Sequence, residues 1–346
     1  MRDLAATALE LVSIPSVSRE EEALCAFVQE WARGILSEDE VLRQGNGLVV
    51  KPHPRGNRPL IGLFGHLDTV PPAADQPLGI RDGRLYGCGA SDMKAGLALM
   101  IAAVEQRAEL ASDIVAVFYD KEEIAASENG LEDLLPLLPA MDLAVMHEPT
   151  ANRLQLGCVG GLHALLHFDG RRAHSARPWH GENAIYKSLD LLGKFQARER
   201  REVVVDGLPF YEVMTPTMAW THRAANVVPD AFTLNVNFRF APGRSLEDAE
   251  AELRKFVGDA ARVEIRDRAP SGAVCRNVPL VSRWIERCGL EVESKQAWTD
   301  VARMTGRGVP AVNFGPGDPA QAHQAGEWVS VEAIDEGWRL LKGLLT

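Results

Sequence analysis

The chain has 346 residues, of which 46% are hydrophobic and 25% are charged, and its net charge is -11. This composition is typical of globular proteins and excludes disordered, collagen-like and coiled-coil chains, while the length favours two domains over one. The negative charge argues against nucleic acid or an anionic membrane surface as a partner. No apolar run approaches the roughly 18 residues of a membrane span, and the segment after Met1 lacks the apolar core of a secretory signal, so we expect a cytoplasmic protein.

The first 150 residues alternate between helical and strand patterns. Apolar positions at helical spacing predict helices at 3–13 and 19–34, with Ser18 as the N-cap of the second. The next elements are predicted as strands at 48–50, 60–64, 114–119 and 143–146 and as helices at 93–109 and 128–135. Near-continuous apolar strands that alternate with helices are typical of a mainly parallel sheet covered on both faces.

The pattern changes after residue 160. Strands are predicted at 162–168, 203–205, 214–221, 232–240 and 261–265, and helices at 183–198 and 246–257. This β-α-β-β-α-β order predicts an inserted, ferredoxin-like α+β domain at 161–270. The first pattern then resumes with a helix at 280–288, a strand at 310–314 and a last helix near 330–343. We therefore predict an α/β fold in which the first domain is discontinuous, residues 1–160 and 271–346.

Side chains that can bind metal follow the predicted strands. In open α/β sheets, ligands gather at the carboxyl ends of the strands. The candidates are His66 after 60–64, Glu122 and Glu123 after 114–119, Glu148 after 143–146, His323 after 310–314, and Asp92 in a glycine-flanked turn before a helix. Two histidines with three or four carboxylates are a ligand set suited to two divalent zinc ions.

Neighbouring residues in this set suggest a division of roles. Asp68 can reach the second ring nitrogen of His66 and fix its tautomer. Glu122 and Glu123 are adjacent, so their side chains diverge, and one can bind metal while the other acts as a general base. Taken singly, each residue could also have a purely structural role: Asp92 could cap a helix, and Glu122 and Glu123 could belong to a solvated acidic loop. Their joint placement at strand ends favours the metal site.

Five motifs carry a resemblance to a known superfamily. They are GHLDTV at Gly65–Val70, YGCGASDMKAG at Tyr86–Gly96, DKEE at Asp120–Glu123, EPT at Glu148–Thr150 and HQAGE at His323–Glu327. With these motifs the chain resembles, over its whole length, the co-catalytic zinc aminoacylases, carboxypeptidases and desuccinylases. The DKEE element departs from the family's DEE pattern by one extra residue.

The resemblance implies a ligand set for two zinc ions, for which cobalt or manganese could substitute. Asp92 would bridge the ions, with a cis peptide bond after it. His66 and Glu148 would complete one site, and Glu123 and His323 would complete the other.

The resemblance also implies the catalytic residues and a dimer. Glu122 would be the general base, with Asp68 beside the metal ligands. The insert would be a lid and dimerisation domain of a homodimer, and its His174 would reach the partner's active site to stabilise an oxyanion. Substrate-binding positions are implied at Arg177, Asn226, Arg239 and Arg303.

Within the superfamily the chain is most similar to a shorter-chain subgroup of desuccinylases. This similarity implies a small N-acyl amino-acid substrate, N-succinyl-LL-2,6-diaminopimelate. An N-acetylornithine deacetylase or a dipeptidase would use the same metal chemistry, and an inactive metal-binding scaffold is an alternative of another class. A nucleotide-binding protein is disfavoured because GxxxxGK[ST] and a full GxGxxG are absent from the sequence. The arginine pair of longer-chain desuccinylases has no counterpart at 157–160.

Overall fold

The computed structural model describes residues 3–221 and 224–346, which form two compact units. The first unit comprises the chain up to Leu156 together with Cys275–Glu293 and Arg307–Thr346. The second comprises Gly157–Val274 and Ser294–Gly306. No helix in the described ranges is long and apolar enough to span a membrane.

The elements follow one another in chain order. The strands are β1 (Val41–Gln44), β2 (Gly47–Val50), β3 (Leu60–His66), β4 (Gly79–Arg81), β5 (Arg84–Tyr86), β6 (Asp113–Tyr119), β7 (Leu143–Met146), β8 (Leu154–Leu156), β9 (Gly160–Asp169), β10 (Ala173–His174), β11 (Arg201–Val205), β12 (Leu208–Thr221), β13 (Val227–Val228), β14 (Ala231–Phe240), β15 (Arg262–Ala269), β16 (Val292–Ser294), β17 (Ala311–Asn313) and β18 (Trp328–Ser330). The helices are α1 (Leu4–Ser13), α2 (Glu22–Arg33), α3 (Ala95–Glu105), α4 (Leu131–Leu134), α5 (Ala184–Lys187), α6 (Leu189–Ala197), α7 (Leu246–Val257), α8 (Pro279–Cys288), α9 (Val301–Gly306) and α10 (Val331–Leu345).

The first unit is built on a sheet in the order β1-β2-β6-β3-β7-β17-β8-β16. Its four central strands, β6, β3, β7 and β17, run parallel, and β2 and β8 join them in antiparallel pairs. Strands β6 and β7 are buried at every residue, as expected for a sheet covered on both faces. The prediction of a mainly parallel α/β sheet is therefore confirmed, with antiparallel strands added at both sides.

Helix α3 packs directly behind the strand that carries His66. Ten consecutive residues, 95–104, are buried, as in a helix that is surrounded by core on all sides. Gly65 allows this close approach, because a Cβ at this position would lie 2.5 Å from a methyl group of Leu97 and 2.9 Å from the sulfur of Met100. The strand end that presents His66 is thus held against a rigid apolar helix.

The second unit contains a five-stranded antiparallel sheet in the order β11-β12-β14-β9-β15. Strand β11 forms a hairpin with β12 at the edge of this sheet. The remaining order, β12-β14-β9-β15, is that of a ferredoxin-like fold in which helices α5, α6 and α7 connect the strands. Burial alternates strictly along β14, so one face forms a core of aliphatic and phenylalanine side chains that includes Phe238, Leu253 and Val257.

Several boundaries differ from the sequence prediction. Ser18 does not cap α2: the helix begins at Glu22, and the Ser18 hydroxyl donates to Asp68 instead. The predicted helix at 183–198 is divided at Ser188 into α5 and α6. Residues 294–306, predicted within the first domain, pack with the second unit, because Trp298 donates its indole N–H to the carbonyl of Pro270.

Glu252 of α7 lies among three arginines of the second unit. Its carboxylate accepts hydrogen bonds from Arg198 at 2.7 Å, from Arg201 at 3.0 Å and from Arg244. Burial by itself raises the pKa of Glu252, but these hydrogen bonds outweigh it and lower the pKa to about 2. Since the pKa is lower in the folded than in the unfolded chain, the carboxylate stabilises the fold above about pH 4, and this contribution is lost as the pH falls toward about 2.

We expect Glu252→Gln to lower the free energy of unfolding by about 1–2 kcal/mol near neutral pH, after allowance for solvent screening. The difference from the wild type should shrink as the pH falls below about 4. Urea unfolding across this pH range measures it, with the exposed Glu247→Gln on the same helix as the control. A difference that stays constant with pH would contradict the role assigned to these ion pairs.

Candidate metal centre

The predicted ligands converge because four parallel strands end at the same edge of the sheet. Phe64 of β3 is level with Met146 of β7, so His66 and Glu148 both stand two residues beyond paired positions. His66 is level with Tyr119 of β6, which precedes the Glu122–Glu123 pair. Strand β17 pairs with β7 on the other side and leads to the segment that carries His323. The strand register thus directs the predicted ligands to one edge.

Asp92 lies between the two histidines. Its Oδ1 is 3.3 Å from Nε2 of His66, and its Oδ2 is 3.9 Å from Nε2 of His323. The same nitrogen of His323 is 3.0 Å from Oε2 of Glu123. The peptide bond between Asp92 and Met93 is cis, as the resemblance implies. Each oxygen of Asp92 therefore faces a different histidine, which is the arrangement required of a bridging carboxylate.

Asp68 contacts His66 through two groups. Nδ1 of His66 is 2.9 Å from the main-chain oxygen of Asp68 and 3.6 Å from its nearest carboxylate oxygen. The carboxylate also accepts hydrogen bonds from the main-chain N–H groups of Glu122 and Glu123, at 2.9 and 3.0 Å, and from Ser18 at 2.7 Å. The carboxylate therefore lies within ion-pair distance of the ring nitrogen that the prediction names, while the closer carbonyl orients the ring and the carboxylate also holds the loop of the two glutamates.

The pKa values in the cluster reflect crowded negative charge in a buried place. Burial raises the pKa of Glu123, and the charge of Asp92 raises it further. Burial on its own lowers the pKa of His66, but its hydrogen bond to Asp92 and the charges of Asp68 and Glu122 raise the pKa well above its usual value. The shift of His66 reflects the negative charge around it, and the shift of Glu123 comes first from burial; a bound cation would stabilise the charged form of Glu123.

The residues present fit a divalent metal ion. His66, Asp92 and Glu123 each offer one ligand atom, and these atoms lie within 4.8 Å of one another. Imidazole nitrogens and carboxylate oxygens are the ligands that zinc and similar divalent ions accept in proteins. His323 contacts Glu123, so the cluster extends to four side chains. Glu148 is buried and follows β7, the strand beside β3, at the same level as His66.

Glu327 supports the turn that presents Asp92. Its buried carboxylate accepts three main-chain hydrogen bonds, from Gly89 at 2.8 Å, Ser91 at 2.7 Å and Asp92 at 2.9 Å. Burial raises the pKa of Glu327 to about 7, although the three hydrogen bonds act in the opposite direction. In the sequence, the signal for this residue is its place at the end of the HQAGE motif.

His174 of the second unit is prepared as a hydrogen-bond donor. It lies on the short strand β10, opposite Val227 of β13, and it is exposed. The N–H of Ala176 donates to its Nδ1 at 3.0 Å. A ring nitrogen that accepts a hydrogen bond carries no proton, so neutral His174 carries its proton on Nε2. Asn226 lies next to it, since its carbonyl accepts from the N–H of Ser175 at 2.9 Å.

The three candidate arginines occupy different surroundings. Arg177 is exposed in the turn after His174, and its main-chain N–H donates to the main-chain carbonyl of that histidine at 2.8 Å. Arg239 is half-buried on β14, where burial lowers its pKa although the charge of Asp267 raises it. Arg303 is mostly buried in an ion pair with Asp300, with Nε and Oδ1 2.6 Å apart.

Comparison with known proteins identifies the family. The sequence pattern of peptidase family M20/M25/M40 matches residues 62–346, which include all the predicted metal ligands. The chain belongs to this family.

Curated M20 relatives include two desuccinylases and a deacetylase. The chain is 37% identical to a Corynebacterium glutamicum succinyl-diaminopimelate desuccinylase over 348 residues, which cover 97% of this chain and 94% of the relative. It is 38% identical over 340 residues to a Mycobacterium tuberculosis protein provisionally described as the same enzyme, with 97% and 96% covered. An acetylornithine deacetylase from Myxococcus xanthus is 30% identical over 357 residues, with 96% and 93% covered.

Solved M20-type structures share the fold. A tripeptidase from Staphylococcus aureus matches with a TM-score of 0.81 at 21% identity and covers 99% of this chain and 97% of its own. A Bacillus subtilis protein described as a dinuclear metal binding peptidase of the M20 family matches with a TM-score of 0.74 at 16% identity, covering 99% and 96%. The predicted fold class is thereby confirmed.

Replacing Glu327 tests whether the turn it holds prepares the metal site. Glu327→Ala removes the acceptor of three main-chain N–H groups, so Asp92 is no longer fixed in direction. We expect the affinity for zinc to fall about 10–100-fold. Calorimetric titration with zinc chloride measures it, and Glu332→Ala, an exposed change nearby in the chain, is the control. Equal affinities for Glu327→Ala and wild type would show that the turn holds Asp92 without Glu327.

Proposed function

We propose that the chain is a metal-dependent amide hydrolase that removes the succinyl group from N-succinyl-LL-2,6-diaminopimelate. The observation that carries this proposal is the strand-end cluster of His66, Asp92, Glu123 and His323, in a chain that is 37% identical over almost its whole length to a protein described as this desuccinylase. The chemistry follows from the cluster, and the choice of substrate follows from the relative.

We further propose that the cluster holds two zinc ions. Asp92 would bridge them, His66 and Glu148 would bind one, and Glu123 and His323 would bind the other. The contacts of Asp92 with both histidines support this pairing. Bound there, zinc would polarise the amide carbonyl and lower the pKa of a water molecule to roughly 7.

Glu122 is the proposed general base. It would accept a proton from the attacking water and deliver it to the nitrogen of the leaving amine, so that a neutral amine departs as the amide bond breaks. Its main-chain N–H donates to Asp68 at 2.9 Å, which fixes the start of its side chain. Because Glu122 is adjacent to Glu123, the base stands next to a metal ligand without being one.

His174 is the proposed donor to the oxyanion. The carbonyl oxygen of the amide gains negative charge when water attacks, and an N–H aimed at it lowers the barrier. The Nε2–H tautomer set by Ala176 supplies such a donor. By resemblance to relatives, the partner protomer of a cytoplasmic homodimer would provide it, with residues 161–270 serving as the lid and dimerisation domain and the other two segments as the catalytic domain.

The succinyl carboxylate requires a cationic partner. Arg177, Arg239 and Arg303 are the candidates, with Asn226 as a polar contact near His174. Arg303 is already ion-paired with Asp300, while Arg177 is exposed beside His174. We therefore assign the carboxylate first to Arg177.

N-acetylornithine deacetylation is the second candidate function, because a relative described as that enzyme is 30% identical over 96% of the chain. The two activities share the attack on the amide and differ in the acyl group. A site built around an arginine for the succinyl carboxylate rejects an acetyl group, since the arginine is then left unpaired.

The substrate assignment is tested by kcat/KM of zinc-loaded protein with N-succinyl-LL-diaminopimelate and with N-acetylornithine. We expect the succinyl compound to be preferred by about 10–100-fold, as for one hydrogen bond between charged groups with an exposed arginine. In the variant Arg177→Ala, kcat/KM for the succinyl compound should fall, whereas kcat/KM for N-acetylornithine should stay unchanged. A preference for the acetyl compound would replace the first function by the second, and hydrolysis of neither would overturn both.

Mixing two inactive variants tests the proposed catalytic pair and the dimer together. Glu122→Gln should keep its metal content and lose about 10²–10⁴-fold in kcat, and His174→Ala should lose about 10²–10³-fold. If His174 acts on the partner's site, each mixed dimer contains one site with both residues intact. Random mixing should then restore about a quarter of wild-type activity, by the counting of sites in a symmetric dimer.

As a control, each single variant is mixed with the double mutant that carries both Glu122→Gln and His174→Ala. Neither of these mixtures contains a site with both residues intact. Metal analysis and size-exclusion chromatography accompany each mixture. If mixed dimers of confirmed composition regain no activity, His174 acts in the active site of its own chain or in no active site.

A further inference from the structure

The N-terminal segment 16–18 lies directly against the residues that follow β3. Val17 and Thr69 form a parallel bridge. The N–H of Ser18 donates to the carbonyl of Thr69 at 3.1 Å, and the N–H of Thr69 donates to the carbonyl of Ser16 at 2.9 Å. The hydroxyl of Ser16 donates to the carbonyl of Leu67 at 2.7 Å. The main-chain bonds of this segment, which we call the N-terminal strap (residues 16–18), bring Ser18 to Asp68.

The Asp68 carboxylate joins the strap to the loop of the two glutamates. Oδ1 accepts the N–H of Glu122 at 2.9 Å, and Oδ2 accepts the N–H of Glu123 at 3.0 Å and the hydroxyl of Ser18 at 2.7 Å. The side chain of Asp68 is fully buried. A buried carboxylate depends on its hydrogen-bond donors, and each of these bonds is stronger than one between neutral groups.

Ser18 is the side-chain donor among these three. Without its hydroxyl, the carboxylate keeps one main-chain donor on each oxygen, from Glu122 and Glu123, and it is held less firmly against rotation about its last bond. Such a rotation moves the acceptor away from the main chain of both glutamates. An ion pair of Arg19 with Glu128 at 2.7 Å also joins this region to the loop, but its side chains are 64% and 43% exposed, so it contributes little.

We propose that Ser18 is a positioning residue of the active site: its hydroxyl fixes the Asp68 carboxylate, which in turn holds the main chain of Glu122 and Glu123. The effect of Ser18 on turnover rests on the function proposed above, whereas its effect on the loop does not. The matched family region begins at residue 62 and excludes the strap, so the strap reaches the site from outside it.

Three variants of the full chain test this role. Ser18→Ala removes the donor, Ser18→Thr retains it at a half-buried position, and Ser16→Ala removes a strap hydroxyl that binds a carbonyl and does not touch Asp68. Hydrogen exchange is measured on peptides that cover 120–124 without metal and substrate. The kcat and KM are measured with zinc and N-succinyl-LL-diaminopimelate.

Ser18→Ala should speed exchange at Glu122 and Glu123 about tenfold and lower kcat about tenfold with KM nearly unchanged, the equivalent of one hydrogen bond to a charged group. Ser18→Thr should restore both, and Ser16→Ala should leave both near wild type. Unchanged exchange in Ser18→Ala, or an equal effect in Ser16→Ala, would overturn the proposal. If the wild type hydrolyses no succinyl substrate, the proposed function fails, and the exchange data alone decide the role of Ser18.

Discussion

Negative charge collected at one edge of the central sheet is the constraint on which the rest of the first unit depends. Four acidic side chains act on one another or on His66 there: Asp68, Asp92, Glu122 and Glu123. Two like charges about 4 Å apart repel by about 4 kcal/mol at the effective dielectric near a protein surface. The acidic neighbours of His66 raise its pKa, whereas the pKa of Glu123 is raised first by burial and then by the charge of Asp92. A fold that keeps such a cluster needs donors or cations around every carboxylate.

The carboxylates divide into two groups according to what satisfies them. Asp68 and Glu327 are met by main-chain N–H groups, two for the first and three for the second. Both are tied to the folded backbone, and neither needs a metal ion. Asp92 and Glu123 instead face the imidazoles of His66 and His323, contacts that a divalent cation would replace with ligand bonds. The same carboxylate group thus either holds the backbone around the site or faces the imidazoles within it.

The sequence predicts the second group better than the first. A polar residue after an apolar run marks a strand end, and parallel strands bring such ends together, so His66, Glu123 and Glu148 could be found from local pattern. The partner of a buried carboxylate is not local: Ser18 and Asp68 are 50 residues apart, and Glu327 and Asp92 are 235 apart. Because this partner is distant, the local sequence predicts a helix cap at Ser18. Residues 294–306 are likewise predicted in the first domain, because their contacts with the second unit are made to residues distant in the chain.

His174 shows that a short-range contact can decide chemistry without burial. Its ring is exposed, and no neighbouring charge is needed to set its proton, because the N–H of Ala176 two residues later occupies Nδ1. The tautomer is therefore fixed by the conformation of the turn itself, which the pairing of β10 with β13 holds in place. A histidine held in this way presents an Nε2–H donor from a surface strand. The first unit, in contrast, must bury its acids and anchor them through residues far away in the chain.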